Sequence, residues 1–453
     1  MKRIDSHCHV FNILSVGWKA ILEQLYEISE LISDAKHLKS NNLSIETVKT
    51  QFLLFKMKRF AELIAIFTDN GEEILLMLDN HYHQEFVLSP LMFDGDFILD
   101  PTKDDNLVHI KTIMNTSREY LMNLNADHKS INNNGILSND EIDRLLDLLN
   151  YLDKGIYSSD YKTKGETKKD GFTLQYEELV KISNNPKYKN RVLPYLGVDP
   201  RRENIKTYLE QVGKDKLFAG IKVYPTTGFS PMDKVLVGHN SIFEYCCKNQ
   251  IPVVSHCSYG GFATPAMSVD LNGYIIPKGQ TEPVEFDGLY KFEKSIMNGF
   301  TPMVQERASV LNHPKIWRKV LEKNRGLLLV LAHFGSGSDE WQNEIVRMMK
   351  VFPNLYTDVS CMSDDETLMK VKDIYDKNPD IRNRILYGSD YFLDMFFNDS
   401  FDQYLNRIIK KLGQAIFDKI SSENPLDFKS KWYQTIDNKH FFYKERINSC
   451  VLS

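Results

Sequence analysis

The run "LLLVLAHFG" (residues 327–335) decides how the rest of the chain is read. Six apolar residues run without a polar interruption and stop at a histidine, His333. This is too short to cross a bilayer, which takes roughly 20 residues, and it reads as a buried strand. A histidine at the end of such a strand is costly unless it is hydrogen-bonded or coordinated. Seven further runs rich in Val, Ile, Leu and Tyr share the pattern: "RIDSHCHV" (3–10), "EFVLSPLMF" (85–93), "RVLPYLGVD" (191–199), "FAGIKVYP" (218–225), "IPVVSHCS" (251–258), "NLYTDVS" (354–360) and "RILYGSDYF" (384–392). Helical stretches such as "SIFEYCCKNQ" and "HPKIWRKVLEKN" lie between them. Eight buried strands alternating with helices predict an α/β fold, a TIM-like (β/α)8 barrel occupying 1–453 as one unit.

The spacing is uneven. Long insertions are expected after the first, second and fifth strands, over 11–84, 94–190 and 259–326. The first has helical apolar periodicity and is expected to form a cap over the barrel mouth. The third begins "GFATPAMSVDLNGYIIPKGQTEP" and reads as irregular. The stretch "SINNNGILSNDE" (130–141) copies the spacing of a calcium loop, but it starts with Ser130 rather than Asp. An Asn/Gly turn leading into a capped helix is the better reading.

Composition narrows the function classes. The chain has 453 residues, is 42% hydrophobic and 26% charged, and carries a net charge of -5. No basic stripe with interleaved aromatics is present, so nucleic-acid binding is not expected. No membrane segment or secretory leader is expected, and the six cysteines form no C-x-x-C pair. A reducing, cytoplasmic setting fits. The terminal "CVLS" matches a prenylation pattern at Cys450, but the second anchoring signal is missing, so coincidence is favoured.

Barrel chemistry sits at the C-terminal ends of the strands. In the first strand His7 and His9 project to the same face and Cys8 to the other, which makes half of a metal site. Lys222 lies in the fourth strand, His256 ends the fifth, His333 the sixth and Asp390 the eighth. Six such residues converging on one mouth are poorly explained as unrelated core residues. Among weaker candidates, Arg201 and Arg202 could clamp a substrate carboxylate or be surface charges. Trp341 could line the pocket or cap a helix, and Asp94 with Asp96 suggests a turn. Ser258, Gly260 and Gly261 let the chain turn tightly beside the site.

The pieces "DSHCHVF", "GVDPRR", "GIKVYP", "PVVSHCSYGG", "HPKIW", "LAHFG", "LYTDVS" and "RILYGSDYF" together resemble the amidohydrolase superfamily of metal-dependent barrels. The resemblance is to the branch that includes the non-oxidative decarboxylases. It implies that His7, His9, His256 and Asp390 ligate a divalent metal, zinc first and manganese second. It implies that His333 completes a second metal site or polarises the substrate and moves protons. Lys222 would be either a carbamylated bridge between two ions or a free ammonium beside one. The implied catalytic residues are Asp390, His333 and Lys222. The leading expectation is hydrolysis of a small-molecule amide, ester or lactone. Decarboxylation of an aromatic or unsaturated acid is the alternative, and a non-catalytic metal-binding barrel the third reading. A small-molecule substrate is the expected partner, with homo-oligomerisation left open.

Overall fold

In a computed structural model, the structure describes residues 3–11, 70–98, parts of 111–123, 139–157, 170–188, 191–213, 216–292, 303–362, 364–391 and 400–428. Ten strands are described: β1 (Arg3–Cys8), β2 (Phe86–Pro90), β3 (Tyr195–Val198), β4 (Gly220–Val223), β5 (Val253–His256), β6 (Ser268–Ile275), β7 (Val284–Lys291), β8 (Leu329–Ala332), β9 (Leu355–Asp358) and β10 (Ile385–Leu386). All eight runs read as barrel strands are strands, and they join in parallel. β1 pairs with β2, and β3, β4, β5, β8, β9 and β10 form one continuous sheet. Parallel bridges Leu88–Val192 and Leu91–Tyr195 join β2 to β3. The ring closes between β10 and β1, where Ser6 N donates to Tyr387 O at 3.0 Å and Asp390 N to His7 O at 2.7 Å.

Alternation along the strands separates two cores. Tyr195, Val254, Val330, Ala332, Tyr356 and Leu386 pack together with Leu91 and Phe428 inside the barrel. Their strand neighbours Leu196, Ile221, Val253, Leu329, Leu331, Leu355 and Ile385 face the outer core shared with the helices. Residues of both kinds are buried, which is why these strands read as unbroken apolar runs. In β1 the pairing register shifts between Asp5 and Cys8, a bulge-like irregularity. Ile4 packs with Val87 low in the barrel, and the shift falls between it and the two histidines.

The outer helices follow from local sequence. In the helix Pro314–Lys323, proline occupies the first turn, His313 caps it, and Ile316, Trp317, Val320 and Leu321 form one buried face. Each such buried aliphatic side chain contributes roughly 1.5–3 kcal/mol. The helix Asp339–Val351 is capped by Ser338 and has Asp339 and Glu340 in its first turn, complementing the helix dipole.

The insertions differ in part from expectation. Much of the 11–84 segment lies outside the described residues, including any cap. Its described helix, Gly71–His81, precedes β2, and Gly71 is needed because a Cβ there would lie 2.5 Å from Val10 O. The third insertion is not irregular: β6 and β7 form an antiparallel hairpin with Ser268 opposite Lys291 and Ile275 opposite Val284. Only Val269, Leu271 and Ile275 of β6 are buried and β7 is largely exposed, so the alternation was too broken to announce a hairpin. The calcium-like stretch up to residue 138 and Cys450 lie outside the described residues, and a helix begins at Asn139. None of the five described cysteines is in a disulfide. No helix among the described residues is long and apolar enough to cross a membrane.

Candidate metal centre

The closing loop after β10 positions the site. Asp5, buried in β1, accepts from His7 N at 3.1 Å, Ser389 N at 3.0 Å, Ser389 Oγ at 2.6 Å and Tyr82 Oη at 2.9 Å. Burial pushes its carboxyl up to about 6 even against these donors. Asp390, the next residue along, has φ of 59°. His333 and Phe334 also have positive φ, at 65° and 48°. Such backbone is costly away from glycine and persists where neighbouring bonds over-determine it. Here those bonds are Asp390 N to His7 O and His333 N to Asp358 Oδ1 at 2.9 Å.

The structure brings His7, His333 and Asp390 together, with one ligand atom from each lying within 4.8 Å of the others. His9 joins them, its Nε2 being 3.1 Å from Asp390 Oδ1, while His7 Nε2 is 3.2 Å from the same oxygen. Each imidazole is oriented from behind. His9 Nδ1 donates to Leu91 O at 2.7 Å, and His7 Nδ1 to Asp358 Oδ2 at 3.0 Å. Because a carbonyl and a carboxylate only accept, both Nδ1 atoms carry the hydrogen. Both Nε2 atoms are then lone pairs in the neutral rings.

Two imidazole lone pairs therefore face one carboxylate oxygen. Asp390 Oδ1 is buried and has no hydrogen-bond partner. Left so, such a group costs about 1–3 kcal/mol. A shared cation would remove the repulsion and give Asp390 Oδ1 a partner, so the donor set fits a divalent ion. Burial alone would raise the Asp390 carboxyl, but where the His7 and His9 rings carry the extra proton they hold it well below the usual carboxylate range. Burial pushes the His333 imidazole down to about 4, with His7 and Lys222 adding to it and Asp390 opposing.

Lys222 points into the barrel, its Nζ 3.2 Å from His7 Nε2. Burial pushes its ammonium down to about 8, against the pull of Asp390 and Asp358. His256 stands beside the group, its ring centroid 4.8 Å from that of His333. It does not enter the tight three-residue cluster. Its Nε2 lies 2.7 Å from Gly260 O and its buried Nδ1 has no partner.

Asp358 and Ser360 are the members that sequence reasoning missed. Ser360 Oγ sits 2.8 Å from His333 Nδ1 and 3.2 Å from His7 Nδ1. The signal was present in "LYTDVS", another apolar run ending in a carboxylate.

The weaker candidates are held by partners within the protein. Arg201 is held by Asp199, with Nη2 to Oδ2 at 2.6 Å. Arg202 pairs with Asp94 at 2.6 Å, Asp96 at 2.5 Å and Asp170 at 2.8 Å. Asp94 and Asp96 thus do more than make a turn, although Asp96 N does donate to Asp94 Oδ1 at 3.3 Å. Trp341 is buried near the start of its helix, where its backbone N–H is capped by Ser338 and its ring meets Tyr259 and His313. A small cleft opens at Lys222, lined by Phe93, Asp94, Asp199, Tyr224, Thr227 and Phe229 among others.

No curated protein matches the chain. Solved structures with similarity include an uncharacterized TIM-barrel protein from Bordetella bronchiseptica, 15% identical over 57% of this chain and 73% of that one, with a TM-score of 0.37. A dihydroorotase from Campylobacter jejuni is 12% identical over 54% and 69%, with a TM-score of 0.27. The 5-carboxyvanillate decarboxylase from Sphingomonas paucimobilis is 11% identical over 56% and 71%, with a TM-score of 0.34. The sequence profile of one family, described as amidohydrolase, matches residues 183–428, more than half of the chain. The chain belongs to the amidohydrolase family.

Proposed function

We propose that the chain is a metal-dependent hydrolase of a small molecule carrying an amide, ester or lactone bond. The observation that carries this reading is the buried Asp390 oxygen, without a hydrogen-bond partner, facing the Nε2 atoms of His7 and His9. His7, His9, His256 and Asp390 would hold one ion, zinc first and manganese second, with His333 beside them. When bound, the ion supplies Lewis acidity, polarising a carbonyl and bringing the pKa of water to about 7. Asp390 takes the proton of the attacking water and returns it to the leaving group. His333 hydrogen-bonds the oxygen on which negative charge develops. Lys222 acts as a free ammonium that binds substrate in the cleft. Asp358 keeps the His7 lone pair turned toward the ion.

Decarboxylation would use the same ligands but needs an anchor for the substrate carboxylate. Arg201 and Arg202, the candidates for that anchor, are bonded to Asp199 and to Asp94, Asp96 and Asp170. This favours hydrolysis. The test is turnover in oxygen-18 water of a substrate found by screening metal-loaded protein against amides, esters, lactones and aromatic acids. Hydrolysis places one label in the product, and Asp390→Asn abolishes turnover with the fold kept. Carbon dioxide release with no label in the organic product would move the assignment to decarboxylation.

A further inference from the structure

The mechanism above leaves one piece of the mouth unused: the turn that follows β5, packed around His256. Tyr224, just past β4, lays its ring on the His256 ring at 4.1 Å between centroids and 11° between planes. Its hydroxyl accepts the Phe262 N–H at 2.9 Å, tying the turn to the stack. On the turn itself, Gly260 O lies 2.7 Å from His256 Nε2. Ser258 Oγ donates to the same carbonyl at 2.9 Å and lies 3.1 Å from Nε2. Gly261 completes the enclosure. Its φ is 98°, and a Cβ there would lie 2.5 Å from His256 Cε1 and 2.5 Å from Tyr224 Oη.

These contacts settle a choice that an imidazole otherwise leaves open. A carbonyl oxygen accepts and cannot donate, so the 2.7 Å contact requires the hydrogen on Nε2. Nδ1 is then the lone pair. It is buried and has no partner, although the ring lies beside His333 in the metal centre. His7 and His9 show the opposite pattern, with Nδ1 bonded and Nε2 left as the lone pair. The same site thus fixes its histidines in two different tautomers, each by an oxygen placed behind the ring.

We propose that Tyr224, Ser258 and the Gly260–Gly261 turn are a positioning clamp that holds His256 in its Nε2–H tautomer and presents Nδ1 to the metal. This rests on the reading of His256 as a ligand. Tyr224 and Gly261 never touch the ion; they act through the ring they confine. The stack fixes the ring plane, the Gly260 carbonyl fixes the proton, and the missing Cβ at Gly261 lets the carbonyl come close enough.

The test uses the full chain with histidine labelled in 15N, the His256 signal being assigned by its absence from His256→Asn. In metal-free protein the clamp predicts a ring pattern with protonated Nε2 and unprotonated Nδ1. Tyr224→Leu removes the stack and should give mixed tautomers, with zinc affinity lower by about 10–100-fold in a chelator competition. Tyr224→Phe keeps the ring and should preserve both readings to within a few-fold. Gly261→Ala should behave as Tyr224→Leu, and thermal melts identify any variant that has lost the fold. A Tyr224→Leu protein that stays folded, keeps a pure Nε2–H ring and binds zinc at native affinity would overturn the proposal. So would an Nδ1–H ring in the native protein. If the native protein shows the Nε2–H ring but binds no zinc, the metal reading fails and the presentation of Nδ1 to an ion fails with it. Zinc binding with a wrong or unconstrained tautomer fails the clamp alone.

Discussion

Asp358 Oδ2 lies 3.0 Å from His7 Nδ1, and both residues are buried. The other oxygen, Oδ1, accepts from His333 N at 2.9 Å and Ser360 N at 3.1 Å. One carboxylate thus orients the His7 ring and braces the strained backbone of His333. Both of its oxygens must accept.

That requirement makes Asp358→Asn informative. An amide has one acceptor, which the two backbone donors would claim, turning Nδ2 toward His7. His7 would then have to accept at Nδ1 and carry its hydrogen on Nε2, which removes the lone pair facing Asp390. Metal affinity should fall about 10–100-fold in a chelator competition, with cooperative unfolding kept. Unchanged affinity would show that the pair does not set the His7 tautomer.

Gly388 is where the closing loop meets the first strand. A Cβ there would collide with His7 Cβ and lie 3.2 Å from His7 N, so backbone and side chain of the same residue block it. Gly388→Ala should lower stability by about 1–3 kcal/mol, read as a lower denaturant midpoint at unchanged slope. A native midpoint would mean that the loop and β1 can separate freely.

Much of this centre was legible because barrel strands are buried on both faces. A polar residue within or ending such a run, as Lys222 within its strand and His7, His9, His256, His333 and Asp390 at strand ends, stands out against its apolar neighbours. Asp358 stood in the same position but is outside the close cluster of His7, His333 and Asp390, so its role waited on the contact with His7, 351 residues away. The four bonds to Asp5 were likewise illegible, because Tyr82 and Ser389 come from distant parts of the chain. The hairpin β6–β7 was missed because only one strand buries much of its apolar face. Arg201 and Arg202 could not be placed from sequence, since their carboxylate partners are spread from Asp94 to Asp199.

The cysteines give a pH prediction away from the metal. Burial, with Glu244 adding to it, pushes the Cys247 thiol up to about 11. The thiolate is the reactive form, and a raised pKa leaves less of it at a given pH. Alkylation of Cys247 should therefore quicken about tenfold per pH unit from 7 to 9 and, at pH 8, run about a hundredfold slower than for an ordinary thiol of pKa about 9. Peptide mass spectrometry after timed iodoacetamide treatment reads this directly. A rate already level by pH 9 would contradict the burial assigned to Cys247.

Lys222 separates a one-ion from a two-ion centre. As a free ammonium beside one ion, it can be replaced: Lys222→Met should keep about one ion per chain while substrate binding weakens. As a carbamylated bridge it cannot, because a native content of about two ions would drop in the Met variant. Elemental analysis of the two proteins, purified side by side, decides between them.

The central claim is that His7 and His9, with Asp390, hold a catalytic divalent ion. The most direct measurement is the metal content, by inductively coupled plasma mass spectrometry, of protein purified without chelators, native and His7→Ala/His9→Ala. About one zinc or manganese per native chain is expected, and almost none in the folded double variant. A folded double variant with its native metal content, or a native protein that takes up no divalent ion when one is supplied, would contradict it.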